Sequence, residues 1–149
     1  MAGSRKIRAA MKKLFEPFLA NEGFTGKYPH FQRKEMGDIQ LLSVIYDKWG
    51  GGFVLEFAHH PAGTLHTSWG TVVPEEEIDI AYTSPSIRAR LVRTERGQGC
   101  YEDFFRYEKI SDNREECEAL VNRVVMLFPQ VNEWLRKGYV GPNISSFSP

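Results

Sequence analysis

The chain has no long apolar run, no excess of charge of either sign, few cysteines and no catalytic signature. No apolar stretch reaches the ~20 residues that a membrane-spanning helix requires. Lys plus Arg and Asp plus Glu each number 19, so the formal net charge is zero. A general nucleic-acid binder carries a basic excess, and its absence argues against that class. The two cysteines, Cys100 and Cys117, are too few for a disulfide scaffold and are expected as reduced thiols. The first residues, Met1 to Lys13, are basic and amphipathic, with no apolar signal core and no cleavage pattern. A cytoplasmic location is the expectation. The three glycines Gly50 to Gly52 are not a phosphate loop, because no Lys-Ser or Lys-Thr follows them. No cofactor is expected.

What is present is enough for one domain. A chain of 149 residues buries roughly 70% of the surface that it exposes when unfolded. Apolar residues make up 42% and aromatics 13%, and ten of the aromatics are Phe. These values point to a ring-rich core that needs no staple. The segment from Asp38 to Phe57 is the most informative. Ile39, Leu41, Leu42, Val44, Ile45 and Tyr46 form an almost unbroken apolar run, which suits a central strand covered on both faces. Trp49 and the glycine turn follow. Phe53, Leu55 and Phe57 then alternate as a return strand.

Helices are expected at both ends. Ile7, Ala10, Met11, Leu14, Phe15, Phe18 and Leu19 share one face of a helix from about Ser4 to Asn21, where Pro17 should bend the axis or tighten the last turn. Asp112 with Glu115 resembles a capping box that opens a final helix to Lys137, kinked at Pro129 and ended by Gly138. Between them the pattern predicts an edge strand from Phe24 to Lys34, a loop from His59 to Gly70, a short helix starting at Pro74 and a strand from Ser86 to Arg93. The expected fold is α+β: an antiparallel β meander packed with an N-terminal and a C-terminal α-helix. Residues 1–140 would form the single domain and 141–149 a flexible C-terminal tail.

Several constellations are candidates for function. Arg88 and Arg90 would share one strand face and suit a carboxylate or phosphate. The alternative is that they pair with Glu56 or another acid. Trp49 stands at the head of the glycine turn, where its ring either anchors a partner or folds over the core. Glu75, Glu76, Glu77 and Asp79 form an acidic cluster. It is either a solvated helix start or a surface that speeds capture of a basic partner. His59, His60 and His66 fit no standard zinc spacing, and adjacent histidines on an extended chain point to opposite faces. Cys100 has no activating base near it in sequence.

Phe18 with Leu19, Gly23-Phe24, Phe31-Gln32-Arg33, Asp38 with its apolar strand, Lys48-Trp49-Gly50 and Phe53 together resemble the bacterial family called domain of unknown function 4304. The run Ile87-Arg88-Ala89-Arg90-Leu91 is similar to that family's arginine-bearing strand. The likeness covers roughly residues 10 to 137. Tyr46 and Asp47 depart from it, standing where a Gln and a small polar residue are common, and Pro17 is a further departure. The resemblance implies a fold, carries no catalytic residues over, and suggests an antitoxin-like partner protein. The expectation is therefore a non-enzymatic protein-binding domain, such as an immunity protein that neutralises a toxin. Trp49, the acidic four, Arg88 and Arg90 would be its partner-binding residues. A second reading is a small-molecule-binding or hydrolytic enzyme with a polar cleft joining Arg88, Arg90 and the His59 to His66 loop, and a third is a structural homo-oligomer, which the solution mass would show.

Overall fold

The structure is a computed structural model that describes residues 3–97 and 100–146. Among the described residues, seven strands form one antiparallel sheet. Strands β1 (Thr25–Lys27), β2 (His30–Glu35), β3 (Asp38–Tyr46) and β4 (Gly52–Pro61) run as a meander. Strand β4 then pairs with β7 (Ala89–Leu91) along its middle and with β8 (Phe105–Arg106) at its start, and β9 (Ile144–Ser146) closes the far edge against β7. A separate two-stranded ribbon, β5 (Leu65–His66) with β6 (Val72–Val73), lies outside this sheet. The α+β reading of the sequence is therefore the architecture observed.

Each face of the sheet has its own cover. Leu42, Val44, Phe53, Leu55 and Phe57 pack on the helices. Ile39, Leu41 and Ala58 pack on Val73, Ile78 and Ile80 from the segment after β4. This double cover is why β3 is apolar on both sides. Helices α3 (Arg114–Leu127) and α4 (Pro129–Lys137) break at Phe128, since Pro129 cannot donate to the ladder. The ring of Phe128 fills the break. It meets Phe15, Phe18 and Phe24 edge-on at 6.1, 5.1 and 6.1 Å. Gly138 ends α4 in the left-handed conformation, with φ 72°.

The differences from the sequence reading have local causes. The last turn before Gly23 is tightened, as expected: the Glu22 and Gly23 N–H groups donate to the Leu19 and Ala20 carbonyls three residues back, at 3.0 and 3.1 Å, and Pro17 is absorbed one turn earlier. Helices α1 (Arg5–Ala10) and α2 (Glu16–Asn21) are joined by a π-helical turn, Met11–Phe15, in which the Glu16 N–H donates to the Met11 carbonyl. Widening the ladder there accommodates the proline ring, which would strike the carbonyl four residues back in a regular helix. The single edge strand is two short strands turned at Tyr28–Pro29. Strand β4 continues through His59 and His60, which were expected in a loop. The helix at Pro74 is a 3₁₀ turn, Glu75–Glu77, and the strand at Ser86 shortens to three residues behind another 3₁₀ turn, Pro85–Ile87. The cap of α3 is Asn113, whose side chain accepts from the Glu116 N–H at 3.0 Å, one residue beyond the expected Asp112.

The expected tail is built into the sheet as far as Ser146. Buried Asn143 donates to the Val92 and Arg93 carbonyls at 3.0 and 3.1 Å, and its backbone N–H donates to Gln130 at 2.8 Å. Residues 147–149 lie outside the described residues. The glycine turn after β3 has a physical reason of its own. Arg106 bridges Asp47 and Glu108 beneath it, and a Cβ on Gly51 would lie 2.6 Å from the Arg106 guanidinium.

Candidate functional site

The β2–β3 hairpin turns in two residues, Met36 and Gly37, with φ 57° and 85°. Two successive positive φ angles are the pattern of a type I′ turn, which favours Asn-Gly. Met36 is therefore an unfavourable choice for its own turn, and it is 86% exposed. It stands on the rim of a recess of about 560 Å³ between this hairpin, the end of β4 and the end of α4.

The floor of the recess is fixed from below. Arg33, 5% exposed, donates from Nε to Gln40 at 2.7 Å, from Nη1 to the Glu22 carbonyl at 3.0 Å and from Nη2 to Asn132 at 2.9 Å. Asn132 donates in turn to Glu22 at 2.7 Å. The guanidinium also lies over the Phe24 ring. Burial pulls the Arg33 pKa below the usual arginine value, and the nearby Arg136 charge adds to this. Gln40 is 2% exposed. With its oxygen on Arg33, its amide nitrogen has no partner among the described residues, and Gln40 lines the recess. Beside it His59 stacks on Trp134 at 5.7 Å, and Trp134 meets Phe57 edge-on at 5.3 Å.

The walls carry charge. Arg136 donates to Glu35 at 2.8 Å, and Arg33 lies 3.1 Å from the same carboxylate. Hydrogen bonding from Arg136 holds the Glu35 carboxyl below the usual range. A carboxyl with a lowered folded pKa stabilises the fold above its unfolded pKa, and that contribution is lost as pH falls through the folded value. We expect the Glu35 titration, followed by carboxyl NMR, to move up toward the ordinary range in Arg136→Met. An unchanged midpoint would remove Arg136 as its cause. Asp38, exposed on the other wall, makes no side-chain hydrogen bond or ion pair among the described residues.

The partner-binding residues singled out by sequence fall elsewhere. Arg88 and Arg90 do share a face, and both are used by Glu56. Arg88 reaches Oε1 at 3.2 Å and Arg90 reaches Oε2 at 2.8 Å. Arg88 also donates to the Thr83 hydroxyl and carbonyl. Glu56 lies in a transverse polar row, His30, Ser43, Glu56, Arg90, Ser145, formed by neighbours in register across five strands. Ser43 and His30 are 2.7 Å apart, but Ser43 is fully buried, so its hydroxyl meets no substrate while the sheet is closed. His59 projects from the opposite face to Glu56, three positions along the same strand. His59 therefore does not share a cleft with the two arginines.

Trp49 is exposed, with Lys48 over its ring, at the opposite end of β3 from the recess. Glu75 accepts from the Gly63 N–H and pairs with Lys34; the Gly63 bond holds its pKa low. Glu76, Glu77 and Asp79 line a second recess of about 430 Å³ with Lys27, His30 and Gln32. Among the described residues no group of three or more His, Cys, Asp or Glu side chains could hold a metal ion. None of the described helices is long and apolar enough to cross a membrane. Cys100 is exposed and Cys117 buried, both as free thiols.

Of the recess residues, sequence reasoning singled out His59 and missed the others. The one available signal was Gln40, a polar side chain inside the apolar run of β3, together with Met36 ahead of a turn glycine.

These features define a small α+β domain with a preformed recess at one end of its sheet. The family model described as domain of unknown function 4304 matches residues 15–136, and the chain belongs to that family. Comparison with curated proteins gives no match, and comparison with solved structures gives none.

Proposed function

We propose that the protein is a non-catalytic protein-binding domain that docks its partner at the recess beside Met36. The observation that carries this reading is Met36 itself: a large apolar side chain held in a left-handed turn position, fully offered to solvent beside a rigid floor. Strained residues gather at sites of function. Val140, also exposed, stands on the same rim. Two exposed apolar groups around a recess suit a partner wider than the recess. The polar groups that an enzyme reading would need are bound to one another. Glu56 holds both arginines, and half-buried Tyr28 and Tyr46 share a hydroxyl contact; burial first, and then the Tyr46 neighbour, push the Tyr28 pKa up. The finer form of the reading is an immunity-type protein that covers a toxin. The exposed carboxylates of Glu76 and Glu77 support a basic partner, whose capture they would speed.

A photocrosslinking residue at Val140 tests the site, with exposed Met126 on α3 as the control position. A discrete protein adduct from Val140 and none from Met126, in lysate of the source cells, is the expected result. Equal labelling from both positions, or none from Val140, would contradict it.

Met36→Asn offers a separate check. Asn tolerates the left-handed region, which costs other residues about 1–2 kcal/mol. We expect the variant to be more stable by about 1 kcal/mol in urea unfolding and to give less of the Val140 adduct. A variant no more stable than the parent would show that the turn is not strained.

A further inference from the structure

Resting on that reading, we infer that the group entering the recess is an arginine or lysine side chain of the partner, with its charge on Asp38 and its neighbouring backbone carbonyl on the Gln40 amide. The charges of the recess leave one member over. Of the charged side chains that line it, Glu35 and Asp38 are acids and Arg136 is the base, and Arg136 is paired with Glu35; Arg33 lies beneath, between the Glu35 and Glu22 carboxylates. Asp38 is the acid on the wall with no cation of its own among the described residues. In water that is a small matter for an exposed carboxylate. Once a partner covers the recess, the carboxylate loses its hydration, and an unpaired charge there is costly. A partner that brings a cation removes this cost, while one that brings an acid or an apolar group does not.

Gln40 is the second observation. Its oxygen is fixed on the Arg33 Nε–H, so its orientation is determined. Its amide nitrogen, on a residue only 2% exposed, is left to donate to the solvent side of the recess that Gln40 lines. A donor in that position asks for an acceptor, which a peptide carbonyl next to the basic residue supplies. The Trp134 ring gives the aliphatic stem or a guanidinium plane an apolar surface to lie on. Charge, donor and ring together fit a basic residue within a peptide.

The test uses N-acetylarginine amide and N-acetyllysine amide, titrated into the isotopically labelled full chain and followed by NMR. N-acetylcitrulline amide, which keeps the shape of arginine and lacks its charge, is the comparison. We expect at least one basic amide to shift the Gln40 side-chain amide and the Trp134 indole N–H saturably, and the citrulline compound to leave them in place. Asp38→Asn should weaken that binding about fivefold, the loss of a modest ion pair. Asp38 is exposed, so the variant keeps the fold, and the spectrum reports this directly. Citrulline binding as well as arginine, Asp38→Asn binding as tightly as the parent, or no saturable shift with either basic amide would overturn the inference. The two readings fail separately. A Val140 adduct without charge-dependent shifts removes the basic side chain and keeps the protein partner. Charge-dependent shifts without an adduct keep the cation site and remove the protein partner.

Discussion

Glu56→Ala is expected to lower the stability of the fold by about 3–5 kcal/mol, because it removes the buried acid that two arginines share. Glu56 is 4% exposed and both of its carboxylate oxygens are in use, one by each arginine. Without it, Arg88 and Arg90 keep their partial burial and lose the Glu56 carboxylate. Ser43, which faces Glu56 across β3 and β4, loses its polar neighbour as well. Urea unfolding followed by circular dichroism measures the effect. A loss under about 1 kcal/mol, the range of an exposed pair, would show that the cluster is hydrated and that Arg88 and Arg90 are available to a ligand. The result therefore also decides between the structural and the anion-binding roles that the sequence left open for these arginines.

Arg33→Met should cost about 3 kcal/mol and should damage the recess too. Three acceptors lose a charged donor at once: the Gln40 side chain, the Glu22 carbonyl and Asn132. Hydrogen bonds to charged groups contribute about 1.5–3 kcal/mol each and are not additive within one network. Arg33→Lys should not rescue, since an ammonium cannot hold three partners in the plane of a guanidinium fork. Gln40 and α4 would both lose their anchor, so the Val140 adduct should fall together with stability. Stability within about 0.5 kcal/mol of the parent for the lysine variant would contradict the account of the floor as a fixed network.

Much of this fold is written in local patterns. The central pair β3 and β4 is visible because Ile39 to Tyr46 is apolar on both faces and Phe53, Leu55 and Phe57 alternate. The end of α4 is visible because Gly138 follows a periodic stripe. What escaped depends on contacts between distant segments. Strand β9 has three residues and no marked pattern of its own; Asn143 and Gln130 place it through side-chain hydrogen bonds. The π turn depends on how Pro17 is absorbed one turn earlier, which no propensity records. The recess draws Met36 and Gln40 from one hairpin, His59 from the next strand and Trp134 from the last helix. Trp134 belongs to the buried stripe of that helix by spacing, and only the fold shows its ring stacked against His59 at the recess. The conspicuous features, Trp49 and the acidic run, stand out because they are local.

The most direct measurement uses the protein labelled with 5-fluorotryptophan and its crosslinked partner, once purified. The three tryptophans, Trp49, Trp69 and Trp134, give three fluorine resonances, each assignable by substitution. Docking at the recess predicts that the partner shifts the Trp134 resonance and leaves Trp49 and Trp69 in place. A shift at Trp49 or Trp69 with Trp134 unmoved would put the interface elsewhere on the molecule.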